Sequence, residues 1–390
     1  MPTDMPLIRL GNYLEVQAGF AFKTEHFTTA EGMPLIRIRD LANSHTEINY
    51  SGEYKPDFVV HNGDYLIGMD GNFRCYRWQG GVSLLNQRVC RLHNFREGVE
   101  PEYIFYGIQQ KLKEIENSTS FVTVKHLSAK QVQGIEMPLP PLPEQRRIVD
   151  LLARAEGVVR LRREAEKKAA ELIPALFLDM FGDPATNPKG WPEHNLGDIA
   201  DVVSGVTKGR KFGDKQTVEV PYLRVANVQA GHIDLTEVKT IEVLPRDVEQ
   251  LALQNGDVVL TEGGDFDKLG RGALWEHNIA NCVHQNHVFR VRCNRSVMLP
   301  QFFVIYLQSS RVREYFLRCA KRTTNLASIN MTQLRALPVV LPAMDAQWEF
   351  VERFAAGRSI QSQQSSATTK AQETFNALLS NIFTNRGRHG

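Results

Sequence analysis

Hydrophobic and polar positions along the chain repeat one pattern twice. In each half, short apolar runs alternate with polar residues and turn signals, which indicates β-strands. A proline-rich turn, Pro138–Gln145 in the first half and Val340–Gln347 in the second, then leads into a long stretch with helical spacing. The pattern predicts two α+β globular halves of about 140 residues, each followed by a long helix.

Matching segments can be followed through both halves. They pair Leu10–Asn12 with Leu196–Asp198, Gly19 with Gly205, Pro34–Leu41 with Pro221–Val228, Asn62–Ile67 with Asn255–Leu260, Asn86–Val89 with Gln285–Val288, and Pro101–Ile104 with Pro300–Phe303. The separation between partners increases along the chain, as expected when insertions fall in loops. The alternation within Leu35–Arg39 predicts a strand that carries Arg37 and Arg39 on one face. Shorter helices are predicted near residues 102–115 and 301–317.

The first long helix is predicted from Glu144 to about Met180, interrupted only by Pro174, and would be a rod of roughly 50 Å. Its apolar or small residues recur in steps of three and four, apart from Arg162 in the middle, and form a heptad seam that requires a partner helix. The seam comprises Ile148, Leu151, Ala155, Val158, Ala165, Ala169, Leu172 and Leu176. The second helix offers apolar residues at both ends, namely Val351, Phe354, Phe375, Leu378, Leu379 and Ile382. Antiparallel pairing would hold two similar surfaces at a fixed distance, as proteins that read two separated DNA half-sites require.

Composition places the chain among ordinary soluble proteins. Its 390 residues are 42% hydrophobic, and no apolar run approaches the roughly 20 residues of a membrane span. No secretory signal is visible, and the five scattered cysteines fit free thiols in a reducing cytosol, so we expect a cytoplasmic protein. A net charge of +2 neither requires nor excludes nucleic acid, because a basic face can be balanced elsewhere.

The sequence carries no catalytic signature. It has no P-loop for nucleotide hydrolysis, and the glycine-rich stretch Gly263–Gly272 lacks the order and the strand–helix context of a dinucleotide or methyl-donor site. Asn187–Gly190 reads as a turn between domains and not as the Asn-Pro-Pro-aromatic tetrapeptide of amino-methyltransferases. Asp64 and Asp257 follow glycine in matching turns, and we interpret them as turn formers and not as nuclease carboxylates.

A zinc site is the one metal hypothesis that the sequence suggests. Its ligands would be Cys282, His284, His287 and Cys293. Their spacing is irregular, and the first half has no counterpart of His284. No metal is therefore expected.

The proline-rich turn with Glu144 and Gln145, the helix after it and the exit sequence Leu176–Pro184 resemble the first central conserved region of Type I restriction–modification specificity subunits. The resemblance covers essentially the whole chain. It implies an α+β fold with two tandem target recognition domains, separated and followed by long helices that form an antiparallel coiled coil with pseudo-twofold symmetry. The implied segments are 1–140 and 184–341 for the recognition domains, and 141–183 and 342–390 for the helical spacers. The second turn departs from the family pattern at Ala343 and Ala346.

The resemblance implies a non-catalytic DNA-reading subunit. Each recognition domain would read one half of a bipartite site in double-stranded DNA, and the helices would set the spacing. The implied protein partners are two modification (methyltransferase) subunits and restriction (translocase) subunits. No cofactor is expected in the chain itself, because S-adenosylmethionine, ATP and Mg²⁺ would belong to the partner subunits.

Candidate DNA contacts are the donors and amides that phosphates and base edges require. In the first half these are Arg37, Arg39, Asn72, Arg74, Arg77, Gln87 and Arg88. In the second half they are Arg224, Asn227, Lys268, Arg271, Asn286, His287, Lys321 and Arg322, the last two in a basic loop. The same zones are polar in both halves while their residues differ, which predicts equal scaffolds that read unequal half-sites.

Two other functions stay open at this point. A coiled-coil scaffold with two protein-binding domains would bind no DNA even with its partners present. A self-sufficient DNA methyltransferase or nuclease is disfavoured, because the duplication occupies the 390 residues and leaves no catalytic motif.

Overall fold

The chain folds as two units, each built from one globular half and a segment of both long helices. The computed structural model describes residues 7–118, 126–264, 269–277, 279–322 and 327–383. Unit 1 comprises Met1–Glu164 and Ser366–Gly390, and unit 2 comprises Ala165–Ser365. The division into four segments inferred from the sequence stays a prediction.

The first globular half consists of short strands and three helices of very different length within its described residues. The strands are β1 (Leu7–Arg9), β2 (Glu15–Ala18), β3 (Phe27–Thr28), β4 (Met33–Ile36), β5 (Asn49–Tyr50), β6 (Val59–Val60), β7 (Tyr65–Gly68), β8 (Cys75–Arg77), β9 (Ser83–Leu85), β10 (Val89–His93) and β11 (Glu136–Pro138). The helices are α1 (Pro101–Ser118), α2 (Ala129–Gln133) and the long α3 (Leu142–Phe181).

A four-stranded antiparallel sheet in the order β2-β10-β7-β8 forms the centre of this half. Its inner face packs against α1, and Ile67, Leu92, Ile104 and Ile108 are buried in the shared core. A second sheet has the order β3-β5-β4-β9-β6, with β4 and β9 parallel. The antiparallel pair β1–β11 places the start of the half beside the proline-rich turn.

The second half repeats this topology. Its strands are β12 (Glu193–Asn195), β13 (Ala200–Ser204), β14 (Val218–Leu223), β15 (Lys239–Val243), β16 (Val258–Thr261), β17 (Gly263–Gly264), β18 (Gly272–Leu274), β19 (Val283–His284), β20 (Val288–Cys293), β21 (Lys321–Arg322), β22 (Ala327–Ser328) and β23 (Pro338–Val340). Its helices are α4 (Leu196–Ile199), α5 (Pro245–Leu251), α6 (Pro300–Tyr306), α7 (Ser310–Cys319), α8 (Met331–Arg335) and α9 (Met344–Phe383).

Strand pairing shows how closely the halves match. The sheet β13-β20-β16-β18 repeats β2-β10-β7-β8, the parallel pair β14–β19 repeats β4–β9, and β12–β23 repeats β1–β11. Two fully buried tryptophans also correspond, since the backbone N–H of Trp78 donates to the carbonyl of Asp64 and the backbone N–H of Trp275 to the carbonyl of Asp257, at 2.9 and 2.8 Å. The structure is therefore α+β with an internal repeat.

The two proline-rich turns are held by a buried glutamine in each unit. The amide of Gln145 donates to the carbonyls of Gly98 and Pro140, at 2.9 and 2.7 Å, and accepts from the N–H of Glu100 at 2.8 Å. Gln347 makes the same three bonds, to the carbonyls of Val297 and Pro342 at 3.0 and 2.8 Å and from the N–H of Leu299 at 2.9 Å. Both side chains are fully buried, so each fixes the start of a long helix to its globular half.

The predicted seam of α3 is wrong at three positions. Leu151, Val158 and Leu172 are 39%, 50% and 45% exposed, whereas the residue after each of them is buried. Each exposed residue is followed by another apolar one, namely Leu152, Val159 and Ile173, so the sequence allowed two adjacent registers. Packing against the globular half selects the second register, because Leu152 joins the core of unit 1 and Ile173 that of unit 2.

Three shorter elements also differ from the sequence prediction. The helix expected at residues 301–317 is divided into α6 and α7, because the Ser309 hydroxyl accepts the N–H of Val312 and starts a new helix. The segment Gly71–Trp78, which its donor-rich sequence after a buried strand predicts as a loop, contains strand β8, and Lys321 and Arg322 of the predicted basic loop form strand β21. No helix in the described ranges has the length and apolar character that a membrane crossing requires.

Candidate nucleic-acid interface

The predicted strand carrying Arg37 and Arg39 ends before them. Strand β4 stops at Ile36, and a 3-10 turn follows at Ile38–Asp40. The buried carboxylate of Asp40 accepts the backbone N–H of Arg37 at 2.9 Å, which turns the chain out of the strand. The Arg37 guanidinium also bonds Asp40 and lies 3.3 Å from Glu47, so this side chain holds the turn. Arg39 is exposed, 3.7 Å from Glu47.

The second half contains the same turn. Asn227 replaces the aspartate, and its side-chain oxygen accepts the N–H of Arg224 at 2.9 Å. The Asn227 amide group donates to the carbonyls of Asp234 and Glu237, at 2.8 and 3.0 Å, and the residue is buried. The Arg224 guanidinium bonds the Glu237 carboxylate at 2.9 Å. Arg224 and Asn227 therefore stabilise the loop to which they belong, and their role as DNA contacts stays a prediction.

The three candidate DNA contacts near β8 lie in different surroundings: Arg77 is partly buried, whereas Asn72 and Arg74 are exposed. The Arg77 guanidinium bonds Glu102 at 2.6 Å and stacks 4.6 Å over the ring of Phe105. Burial alone would lower the pKa of Arg77, but the hydrogen bond and charge of Glu102 outweigh it and raise that pKa, so the guanidinium stays charged. Arg74 lies 5.7 Å over the ring of Tyr76 and is exposed, as is Asn72.

Gln87 and Arg88 form an exposed turn between β9 and β10. Arg88 Nη1 donates to Asp70 at 2.6 Å, and His126 Nδ1 lies 2.7 Å from the other oxygen of the same carboxylate. Burial alone would raise the pKa of Asp70, but the hydrogen bonds with His126 and Arg88 hold that pKa below its usual value. Asp70 thus stays ionised and orients two exposed side chains at one edge of the first half.

The corresponding turn of the second half carries Asn286 and His287. His287 Nδ1 hydrogen-bonds Glu262, and its Nε2 lies 3.3 Å from the Asn286 amide nitrogen. Other candidates converge on the same strand end. The carbonyl of Arg271 accepts the N–H of Thr261, and Lys321 and Gly263 both pair with Ser328.

The remaining candidates are only partly placed. The Arg271 guanidinium donates to Gln229 at 2.8 Å. The backbone of Arg322 pairs with Ala327 in the sheet, while its side chain lies outside the described part of the chain, and Lys268 lies outside the described residues altogether. The site residues inferred from the sequence as DNA contacts stay predictions.

Comparison with known proteins identifies the family to which this duplicated chain belongs. A family model described as the Type I restriction modification DNA specificity domain matches residues 2–171 and, a second time, residues 188–364. The chain belongs to the Type I restriction–modification DNA specificity family. This confirms the resemblance inferred from the sequence, the internal repeat and the DNA-sequence recognition role.

Individual members of the specificity family match over nearly the whole chain. The specificity subunit of the Type I restriction enzyme EcoBI from Escherichia coli is 27% identical, over 96% of this chain and 85% of its own length. The fold is shared with the solved S subunit of a Type I system from M. genitalium, at 12% identity, a TM-score of 0.54 and coverage of 98% and 96%. It is also shared with a chain from a study of complex assembly and conformational transition in the type I R-M system, at 19% identity, a TM-score of 0.58 and coverage of 98% and 99%.

Family membership decides between the open functions. The curated relatives are specificity subunits, which recognise DNA and are not the catalytic subunits of their systems, so the chain is not the enzyme of its own system. The two aspartates form turns as interpreted, because Asp64 accepts the N–H of His61 at 2.9 Å and Asp257 that of Gln254 at 2.7 Å.

Three acidic or titratable residues of this site were missed in the sequence. Asp70, His126 and Glu262 orient Arg88 and His287, whereas the prediction from the sequence includes only donors and amides that could reach DNA. A signal was present, since Asp70 and Glu262 stand within two residues of the ends of the matched strands β7 and β16, where an acidic side chain can hold a cationic neighbour.

The residues of the disfavoured zinc hypothesis have other roles. No group of three or more metal-binding side chains is found within the residues that the structure describes. Cys282, His284 and Cys293 are buried, and His284 Nδ1 lies 2.6 Å from the carbonyl of Val288. Burial lowers the pKa of His284 to about 4. The side chain is therefore neutral in the folded protein at neutral pH.

A specific acid sensitivity of unit 2 follows from His284. Because the pKa is about 4 when folded and about 6.5 when unfolded, stability is fully present above pH 6.5 and is lost as pH falls towards 4. At pH 5 the free energy of unfolding of unit 2 should therefore be about 2 kcal/mol lower than at pH 7.5. The first half has buried Leu85 at the matching position, so His284→Leu is the natural substitution to compare. Urea unfolding of unit 2 at pH 7.5 and pH 5 should show a smaller difference for His284→Leu than for the unsubstituted chain. An equal difference in both would show that His284 does not cause the sensitivity.

Proposed function

We propose that each globular half of this chain reads one half of a bipartite DNA site without carrying out chemistry on the DNA. The observation that carries the proposal is the exposed turn that occurs in both halves with the same backbone pairing and with different side chains. Gln87 and Arg88 occupy it in the first half, and Asn286 and His287 in the second. Amides, guanidinium and imidazole groups are the chemistry that base edges in the major groove accept.

The helices enter this proposal as an antiparallel coiled coil that gives pseudo-twofold symmetry and sets the spacing between half-sites. Contacts within each unit support it. In unit 1, Arg163 of α3 donates to Gln372 of α9 at 2.7 Å. In unit 2, Gln361 of α9 donates to the carbonyl of Ala169 at 3.0 Å, and Gly357 packs against Ile173. Later residues of α3 thus contact earlier residues of α9, which is the order expected of an antiparallel pair.

We further propose that modification subunits dock on the helices, two for each chain, and that restriction subunits join this assembly. Support comes from one face of α3 in unit 1 that does not pack against the core. Leu151, Val158 and Leu161 lie exposed on this face at helical spacing. S-adenosylmethionine, ATP and Mg²⁺ would act in those partners. We place the complex in the cytoplasm, which agrees with five unpaired cysteines.

The test is to co-express the chain with its modification subunit in a host that lacks adenine methylation, and to map methylated adenines by single-molecule sequencing. We expect one bipartite motif with a spacer of fixed length and unspecified sequence. The same host with the modification subunit alone provides the control and should show no such motif.

Other outcomes would contradict the proposal in different ways. An intact complex that leaves the DNA unmethylated and binds no DNA would favour the protein scaffold. Methylation by the purified chain with S-adenosylmethionine alone would show that the chain is itself the enzyme.

A further inference from the structure

Both halves carry a two-residue tip on the same backbone scaffold. We use "tip" for Gln87–Arg88 in the first half and Asn286–His287 in the second. The first residue of each tip donates its N–H to a neighbouring segment, from Gln87 to Phe20 at 2.8 Å and from Asn286 to Val206 at 2.9 Å. The carbonyl of the second residue accepts an N–H from the strand end beside it, at 2.8 Å in the first half and 3.0 Å in the second.

A glycine fixes the base of each tip. A Cβ atom on Gly19 would lie 2.0 Å from the carbonyl oxygen of Asn86, and one on Gly205 would lie 1.8 Å from that of His284. In each half, the segment that carries the glycine therefore touches the segment directly before the tip, backbone to backbone. Arg88 has a φ of 72°, which a non-glycine residue adopts only when its surroundings impose it. These contacts define the position of the tip before any ligand arrives.

The second residue of each tip is exposed and held by a carboxylate. The Arg88 side chain is 58% exposed and bonded to Asp70, and the His287 side chain is 55% exposed and bonded to Glu262. The first bond occupies Nη1 of Arg88 and leaves the Nε and Nη2 edge, which matches the paired acceptors of guanine. A carboxylate that fixes the direction of an exposed donor reduces the ordering cost of binding.

We propose that the two tips are the specificity-determining elements of the two half-sites, with Asp70 and Glu262 as positioning residues. This inference rests on the proposed function. The scaffold is the same in both halves, so the difference between the sites lies in the side chains of the tips. Guanidinium and carboxamide groups read one half-site, and carboxamide and imidazole groups read the other. Arg88 is assigned to a guanine, and Asn286 to an adenine.

The test exchanges one tip within the complex of the chain and its modification subunit. The variant Asp70→Glu, Gln87→Asn, Arg88→His gives the first half the tip residues of the second and replaces the carboxylate beside the tip with that of a glutamate. Methylation mapping should show the first half of the motif changed at one or two adjacent positions and the second half unchanged. Sites that keep the original base pair should be methylated about 10- to 100-fold less efficiently. Arg96→Ala, an exposed arginine beyond the other end of β10, should leave the motif intact.

Single substitutions keep the inference testable when the triple variant does not fold. Arg88→Lys keeps the charge but loses the paired donors, and it should relax one position of the motif without weakening methylation at others. Asp70→Ala should relax that same position, and Asp70→Glu should restore it. Methylation by Arg88→Lys that falls equally at all sequences would mark a phosphate contact and overturn the inference.

The two proposals fail in distinguishable ways. An unchanged motif in a folded triple variant overturns the assignment of the tips while the bipartite reading stands. A native complex that shows no bipartite motif overturns the proposed function, and the inference with it.

Discussion

Replacing Asp257 with alanine is expected to lower the free energy of unfolding of unit 2 by about 3 kcal/mol. The Asp257 carboxylate is 1% exposed and accepts Nε and Nη2 of Arg292 at 2.7 and 2.8 Å. It also accepts the N–H of Gln254, which closes the turn before β16. The substitution leaves a guanidinium and a backbone donor without their acceptor, and a partly buried charge without its partner is costly.

The first half provides a matched comparison for this prediction. Asp64 occupies the same turn but is 28% exposed, and it meets Arg91 at 3.4 Å, so Asp64→Ala should cost about 1 kcal/mol in unit 1. Urea unfolding followed by hydrogen exchange and mass spectrometry would report on each unit separately. Asp214→Ala, at an exposed position of unit 2, should change little. Equal costs for Asp257→Ala and Asp64→Ala would show that burial of the pair is not what sets its contribution.

Gln347→Leu is expected to destabilise unit 2 by about 3 kcal/mol. The substitution keeps the side-chain volume close to that of glutamine but removes three buried hydrogen bonds, with Val297, Leu299 and Pro342. The leucine would leave the N–H of Leu299 and two carbonyls unpaired in the interior, at the point where α9 begins. Faster hydrogen exchange in peptides from the first turns of α9 would locate the damage.

Gln145→Leu tests the same arrangement in unit 1. Its bonds are less deeply buried, so the expected cost is somewhat smaller. Gln363→Leu, an exposed glutamine on α9, provides the control for the loss of an amide from a helix and should be nearly neutral. If the stability lost in Gln347→Leu does not exceed that in Gln363→Leu, the buried glutamine does not hold the helix to its half.

The proline-rich turn shows what the sequence could and could not reveal. The duplicated turn identified the family, yet the departure at Ala346 drew attention to the wrong residue. The corresponding Glu144 is partly exposed and pairs with the exposed Arg147 three residues later, and such surface ion pairs contribute little to stability. The glutamine that follows is retained in both turns and makes all three buried bonds. Sequence alone cannot rank two neighbouring polar residues by burial.

The seam of α3 illustrates a second limit. Helical spacing predicted the helix, and its bounds agree with the structure within a few residues. The apolar pair at Leu151 and Leu152 fits either of two faces, and so does the pair at Leu172 and Ile173. Contacts with residues far away in the sequence choose between them, and such contacts have no local signature.

The candidate DNA contacts were predicted by residue type, and the structure places them in two different environments. The polar zones of both halves do contain the exposed turns at Arg88 and His287. Arg37, Arg224 and Asn227 were chosen for the same chemistry, although they bond acidic or backbone groups of their own loops. Donors serve internal loops as readily as they serve DNA, so residue type alone cannot separate the two uses.

Unit 1 combines the first and the last segments of the chain, which determines the order in which the two units are completed during synthesis. Its core includes Phe383, which packs on Tyr103 and lies close to Gly107, although more than half of the chain separates them in sequence. A ribosome that has finished the first globular half has not yet made the helical segment that covers it. Unit 2 draws all of its residues from one continuous stretch, Ala165–Ser365, and its segments are complete before residue 383 is translated. The half synthesised first is therefore the half that is completed last, and part of its apolar surface stays uncovered during elongation, when exposed apolar surface favours aggregation.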